Sequence, residues 1–225
     1  MTKTHFLCLA NSKKYGERCI AGIALKPGSH GHFHAVIDKG KPKWVRPVSS
    51  AGHGQVPADW VEGIAVGHIV EFAALRPCPS GYQTENVFFE KKSIRSVRPA
   101  MLSLTHFEHL AETMEKGLFG NTGRSLGEDE ISAVGRSLIL VRANKAKICF
   151  STPWKARPRM KFRHEGTWYD LPMTDVNFYA QIQEDPDALN KCPDVFLTVS
   201  LGACFEGKYY KLAAGLVFPE KGRGG

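Results

Sequence analysis

Hydrophobic residues fall mainly in short runs that turn-forming residues separate, a pattern typical of β-strands. The first two runs cover residues 6–10 and 19–25. The polar segment between them opens with Asn11 and Ser12, whose side chains favour turns because they hydrogen-bond to the nearby backbone. The pattern therefore predicts a hairpin of two buried strands with a polar, cationic tip.

Similar runs follow in both halves of the chain, enough for about five strands in each half. After the first hairpin, strands are predicted at residues 43–49, 67–75, 87–89, 137–143, 147–151, 160–164, 168–171, 195–201 and 209–218. Glycine-containing turns at Glu165-Gly166 and Glu206-Gly207 predict two further hairpins. A short helix is predicted from Asp175 to Ile182.

The clearest helical pattern runs from Ser103 to Lys116, with Ser103 as the N-cap and Gly117 as the stop. Its apolar positions form a single stripe, made of Leu104, Phe107, Leu110, Ala111 and Met114. The Gly-rich, polar residues up to Gly135 are typical of a linker or a long loop. This helix is the best candidate in a chain of strands.

The strand count predicts a mainly β protein of two tandem OB-like five-stranded barrels, with one amphipathic helix between them. The predicted boundaries are an N-terminal barrel at 1–100, a helix and linker at 101–135, a C-terminal barrel at 136–219 and a flexible tail at 220–225.

Charge favours a polyanionic partner, because 30 lysines and arginines face 22 acidic residues and give a formal net charge of +8. No run approaches the roughly 20 apolar residues of a membrane span, and the N-terminus lacks the apolar region of a signal peptide. The six cysteines form no C-x-x-C pair, which favours buried thiols in a reducing cytoplasm. A cytoplasmic protein with no membrane partner is predicted.

Metal and cofactor chemistry find little support. His30, His32 and His34 alternate and would share one face of a strand, but no fourth ligand lies nearby, so a solvated loop is favoured over a metal site. Because the usual catalytic and phosphate-loop motifs are missing, a non-catalytic protein without metal or cofactor is favoured over an enzyme.

The strongest chemical signal is a ten-residue stretch in which cations alternate with apolar residues. The cations are Lys155, Arg157, Arg159, Lys161 and Arg163. In an extended strand they would share one face at a spacing of roughly 6–7 Å, which suits the phosphates of a single-stranded nucleic acid. Pro158 predicts an edge position or a break. The alternative is a charged edge strand that protects the sheet from aggregation.

The first half offers a second candidate surface, since Trp44 and Arg46 would share a strand face that suits a base or a phosphate. The alternative is a tryptophan in the core with arginine beside it. The predicted nucleic-acid contacts of this half are Lys14, Arg18, Trp44 and Arg46. A group of polar residues could instead bind a small ligand or fix a barrel corner, and its members are Asn11, Ser12, Gln83, Glu85 and Asn86.

Several motifs together resemble the bacterial dual OB-containing domain family over about residues 6–217. They are Cys8–Ser12, Arg18–Gly22, Trp44–Ser49, Gln83–Asn86, Val199–Gly202 and Tyr210–Leu212. The resemblance implies two OB-like barrels in tandem. It implies little about activity, and a place among nucleic-acid-linked or phage-defence genes is an association only.

Three functions fit these observations. The favoured one is a non-catalytic module that binds nucleic acid, with single strands preferred and Trp168 as a further stacking face. The second is a pocket that senses a small nucleotide. The third is an adaptor that docks a protein partner through its acidic helix or its barrel edges.

Overall fold

A computed structural model describes residues 2–50, 52–150, 158–185, 189 and 195–219, without the side chains of Thr2, Tyr179 and Gln183. The chain divides into two compact units, Met1–Met101 and Leu102–Gly225.

The first unit contains nine strands among its described residues. They are β1 Thr2–Lys14, β2 Glu17–Pro27, β3 Phe33–Ala35, β4 Ile37–Asp38, β5 Lys41–Pro42, β6 Trp44–Val48, β7 His68–Pro77, β8 Asn86–Phe89 and β9 Arg95–Pro99. Short 3₁₀ turns occupy Ser29–Gly31 and Ala58–Val61.

Five of these strands close a barrel. Strand β1 pairs with β2 and with β7, β2 pairs with β6, and β7 pairs with β8, all antiparallel. The ring closes through β6 and β8, which run parallel. Phe6, Ile20, Val45 and Phe72 belong to its core. Alternate strand positions point to opposite faces, so each strand gives the core every second side chain.

The second unit begins with short helical segments and then forms a second set of strands. Its helices are α1 Leu104–Leu110, α2 Glu128–Ile131 and α3 Val176–Glu184, with a 3₁₀ turn at Leu118–Gly120. Its strands are β10 Ser125–Leu126, β11 Leu138–Arg142, β12 Asn144–Phe150, β13 Pro158–His164, β14 Thr167–Pro172, β15 Phe196–Phe205 and β16 Lys208–Val217.

The strand order of the first barrel recurs here. Strands β11 and β12, separated by Ala143 alone, act as one bent strand that pairs with β15 at one end and with β13 at the other. Strand β13 pairs with β14, and β15 pairs with β16. A parallel bridge from Met173 to Ala213 links the end of β14 to β16. Two five-stranded OB-like barrels, the predicted mainly β fold, are thus confirmed.

Helix α3 begins where the sequence indicates. Asp175 is its N-cap, and one carboxylate oxygen accepts hydrogen bonds from the backbone N–H groups of Asn177 and Phe178 at 2.9 and 3.2 Å. The other oxygen accepts from the N–H of Leu216 at 2.8 Å, which ties the helix to strand β16. Burial raises the pKa of Asp175 to about 6, and these three bonds offset part of that rise.

The predicted long helix is shorter than its apolar stripe. It starts after Ser103 as predicted but ends at Leu110 instead of Lys116, because Ala111 adopts an extended conformation. The N–H of Glu112 then donates to the carbonyl of Leu140 on β11, so the chain joins the sheet instead of continuing the helix. Within the predicted linker, Ser125–Leu126 pairs with β16 and Glu128–Ile131 forms a helical turn.

The polar turn predicted after Ala10 is also wrong. Strand β1 continues to Lys14, and only Tyr15 and Gly16 form the turn, both with positive φ. Asn11 and Ser12 are therefore strand residues, and both are buried. Asn11 fits there because its side-chain amide donates to the carbonyl of Ile64 at 2.8 Å, which replaces the hydrogen bond that water would make.

Candidate nucleic-acid interface

The outer surface of strands β12, β13 and β14 carries several cationic side chains and an exposed tryptophan. Along β13, Met160, Phe162 and His164 are buried while Lys161 and Arg163 are exposed, so the alternation predicted from the sequence holds over these residues. The apolar members fix the strand's orientation because they enter the barrel core.

Strand register brings further side chains to this surface, because residues directly opposite in a ladder point to the same side. Lys147 on β12 lies opposite Lys161, and Asp170 on β14 lies opposite Lys161 from the other side. Trp168 lies opposite Arg163. We call this surface the basic face; its members are Lys147, Arg159, Lys161, Arg163, Trp168 and Asp170.

At the centre of the basic face, an ammonium group lies over an indole ring. Trp168 keeps 49% of its surface exposed, and the Nζ atom of Lys161 lies 5.5 Å from its ring centroid. Arg163 is held nearby by a bond from its Nε to the carbonyl of Gly166 at 3.2 Å. The arrangement offers both an aromatic surface for stacking and cations for phosphate oxygens.

Arg159 differs from Lys161 and Arg163 on the same strand because, among the described residues, it forms an ion pair. Its Nε donates to Oδ1 of Asp170 at 2.7 Å, and its Nη2 donates to the backbone carbonyl of the same residue at 2.7 Å. The prediction of a purely cationic face is therefore wrong at this position. The partner carboxylate, Asp170, lies on the neighbouring strand β14, so the alternation of residues along β13 does not reveal it.

Two members of the predicted cationic row, Lys155 and Arg157, lie outside the described residues. Of the two alternatives predicted for Pro158, an edge position or a break, the edge position is wrong, because β13 is the central strand of a three-stranded sheet. Pro158 is tolerated there since it is the first residue of the strand, where a missing N–H costs little.

The end of the β15–β16 hairpin carries a second exposed aromatic pair that the sequence reasoning missed. Phe205 and Tyr210 are 62% and 36% exposed, with ring centroids 6.5 Å apart. Lys208 lies directly opposite Phe205. The available signal was two aromatic flanks around the predicted Glu206-Gly207 turn.

In the first unit, Trp44 and Arg46 do not form the predicted open surface. They are only 7% and 2% exposed, and Arg46 forms an ion pair with Glu85, with its Nη2 2.7 Å from Oε1 of the carboxylate. A buried arginine requires such a partner, because an isolated charge away from water is costly. Neither side chain can meet a nucleic acid from solvent as placed here.

The polar residues predicted to bind a ligand are partly brought together. Asn86 lies opposite Arg46 in the parallel ladder and donates from its side-chain amide to Oε1 of Gln83 at 3.4 Å. With Glu85 they form one polar group, in which Arg46, Glu85 and Asn86 are buried and Gln83 is partly exposed. Asn11 bonds to Ile64 instead. A role for this group in binding a small nucleotide stays a prediction.

The cations predicted at the first hairpin, Lys14 and Arg18, have hydrogen-bond partners within the first unit. Lys14 donates from Nζ to the carbonyl of His53 at 2.6 Å, and its burial lowers the pKa of its ammonium. Arg18 is half-buried and pairs through its backbone with Val56. Their contribution to a nucleic-acid surface also stays a prediction.

In the described part of the chain, no group of three histidine, cysteine, aspartate or glutamate side chains is arranged to hold a metal ion. No helix there is long and apolar enough to cross a membrane. None of the five cysteines that the structure describes forms a disulfide, and Cys192 lies outside the described residues. Cys8 is buried as predicted, but the prediction of buried thiols is wrong for Cys149 and Cys204, which are exposed.

Comparison with known families identifies a model that matches most of the chain. The sequence model of the dual OB-containing domain family matches residues 4–216, which covers both units described above. No curated protein matches the chain.

Proposed function

Because the chain belongs to the dual OB-containing domain family, we propose that the basic face of its second unit binds a nucleic-acid chain. Barrels of this type bind oligonucleotides or oligosaccharides on the face of their second and third strands. In the second unit these strands are β13 and β14, which carry most of the basic face. Four cations next to an exposed indole favour the oligonucleotide, because its phosphates are anionic and its bases stack.

The observation that carries the proposal is the pairing of Lys161 with Trp168 on a surface where four cations outnumber one carboxylate. A duplex hides the faces of its bases, whereas a single strand can lay one of them on the exposed indole. The proposed ligand is therefore single-stranded DNA or RNA. The proposed activity is binding alone, since lysine and arginine contacts to phosphate and stacking on tryptophan break no bond. An accessory role in a nucleic-acid-processing or defence system stays a prediction.

The test is the salt dependence of binding. If the four described cations each contact one phosphate, the slope of log K against log salt for single strands is expected near about −2.8, from about 0.7 per contact. Fluorescence anisotropy with labelled single-stranded DNA, single-stranded RNA and duplex DNA would measure it between about 50 and 200 mM salt. Absent binding to all three, or affinity that does not change with salt, would contradict the proposal.

Trp168 is expected to contribute through stacking. Trp168→Ala should weaken single-strand binding about 5- to 150-fold, because stacking of a base on an aromatic side chain is worth roughly 1–3 kcal/mol. Trp168→Phe should keep most of the affinity. Tyr15→Ala is the matched control, since Tyr15 is also exposed but stacks on His53 in the first unit. Equal losses in both alanine variants would argue against a specific stacking role.

A further inference from the structure

Asp170 is the one acidic member of the basic face, and it binds two arginines at once. Its Oδ1 accepts from Nε of Arg159 at 2.7 Å, and its backbone carbonyl accepts from Nη2 of the same arginine at 2.7 Å. Its Oδ2 pairs with Nη2 of Arg124 at 3.3 Å. Arg124 precedes β10, so the carboxylate joins strand β13 to a segment outside the three-stranded sheet.

Considered by its charge alone, the carboxylate of Asp170 should weaken the binding of any anion to the basic face. It lies opposite Lys161 and reduces the positive potential of the surface. The geometry offers a second effect of opposite sign. An arginine held by two hydrogen bonds loses little side-chain entropy when it binds a phosphate, and its planar guanidinium keeps further N–H donors for an oxygen ligand.

We infer that Asp170 is a positioning residue for phosphate recognition, and that Arg124 belongs to the binding surface through it. This inference rests on the proposed function and adds to it the way in which phosphate is bound. Asp170 fixes the guanidinium of Arg159 and orients the more exposed guanidinium of Arg124. Together they form an arginine pair that contacts the phosphodiester backbone of a single strand.

The charge of Asp170 and its positioning role predict opposite results for one substitution. Asp170→Asn removes a negative charge, which by itself should strengthen binding to DNA. The amide has a single acceptor oxygen and cannot hold both arginines, so loss of positioning should weaken binding about tenfold, the loss of roughly one charge-assisted hydrogen bond. Asp170→Glu keeps the charge but moves the carboxylate by one methylene, and it should also weaken binding.

Glu165 provides the matched control. It lies at the exposed turn between β13 and β14 with a φ of 42°, and neither arginine bonds to it among the described contacts. Glu165→Gln makes the same change in charge as Asp170→Asn and should leave the affinity unchanged or raise it slightly. Anisotropy with one labelled single-stranded DNA measures all of these variants, and thermal melting checks that each is folded.

A second background separates positioning from a general effect on the fold. In a protein with both Arg124→Gln and Arg159→Gln, Asp170 has lost its two arginine partners, so adding Asp170→Asn should no longer reduce affinity and should raise it slightly. If the wild type binds nucleic acid and Asp170→Asn binds it at least as tightly, the inference about Asp170 is overturned while the proposed function stands. A wild-type protein that binds neither DNA nor RNA would overturn the proposed function and the inference with it.

Discussion

Replacing Lys161 and Arg163 together by glutamine is expected to weaken single-stranded DNA binding about 100-fold, because two charge-assisted hydrogen bonds of at least about 1.5 kcal/mol each are lost. Both side chains are exposed on the central strand of the basic face and flank Trp168. The slope of log K against log salt should fall from about −2.8 to about −1.4, since two phosphate contacts disappear. Anisotropy titrations at several salt concentrations measure both quantities.

The matched control removes the same charge elsewhere. Lys41 and Lys43 are exposed residues of the first unit that also occupy alternate positions. Their double glutamine variant changes the net charge equally but leaves the basic face intact. Charges that make no direct contact with the ligand are largely screened at physiological salt, so its affinity should fall no more than about threefold. If both double variants lost affinity equally, binding would follow the net charge of the protein and the basic face would have no special role.

The alternation along β13 could be predicted from the sequence because it is local. Met160 and Phe162 mark the buried side of a strand whose other side must then carry Lys161 and Arg163. The ion pair from Arg159 to Asp170 could not be predicted in this way. It depends on the register between two strands, which the sequence of one strand alone does not specify.

The same limit explains the errors in the first unit and at the helix. Asparagine favours turns, but the side-chain amide of Asn11 donates to the carbonyl of Ile64, which is far away in the sequence. This hydrogen bond allows Asn11 to lie in a buried strand. The apolar positions after Ser103 would allow the helix to continue beyond Leu110. Instead, the N–H of Glu112 donates to the carbonyl of Leu140 on strand β11. In each case a long-range hydrogen bond outweighs a local preference.

Lys211 is expected to make the stability of the protein depend on alkaline pH. It is fully buried on β16, and its Nζ donates to the backbone carbonyl and to Oδ1 of Asn121 at 2.8 and 2.6 Å. The ring centroid of Tyr169 lies 5.9 Å from the same atom. Burial lowers the pKa of Lys211 to about 8, and the nearby Glu130 carboxylate offsets part of this effect.

The sign of the pH effect follows from where the proton is bound. Between pH 8 and the ordinary lysine pKa of 10.5, the unfolded chain carries a proton on Lys211 that the folded protein has lost. The free energy of unfolding therefore rises with pH across this window, because the unfolded state binds more protons. From about pH 7 to pH 10 this contribution should reach about 2 kcal/mol, given 1.36 kcal/mol per pKa unit.

Comparison with Lys211→Met isolates this contribution, since every other titrating group is common to both proteins. Urea unfolding at about pH 7 and pH 10 should show wild type gaining about 2 kcal/mol relative to the variant. Lys208→Met, three residues earlier on the same strand with an exposed side chain, should change in parallel with wild type. The direction of the difference is the decisive result. A constant gap between wild type and Lys211→Met would mean that the ammonium is hydrated, and that Asn121 does not hold residues 117–131 to the barrel through a buried charge.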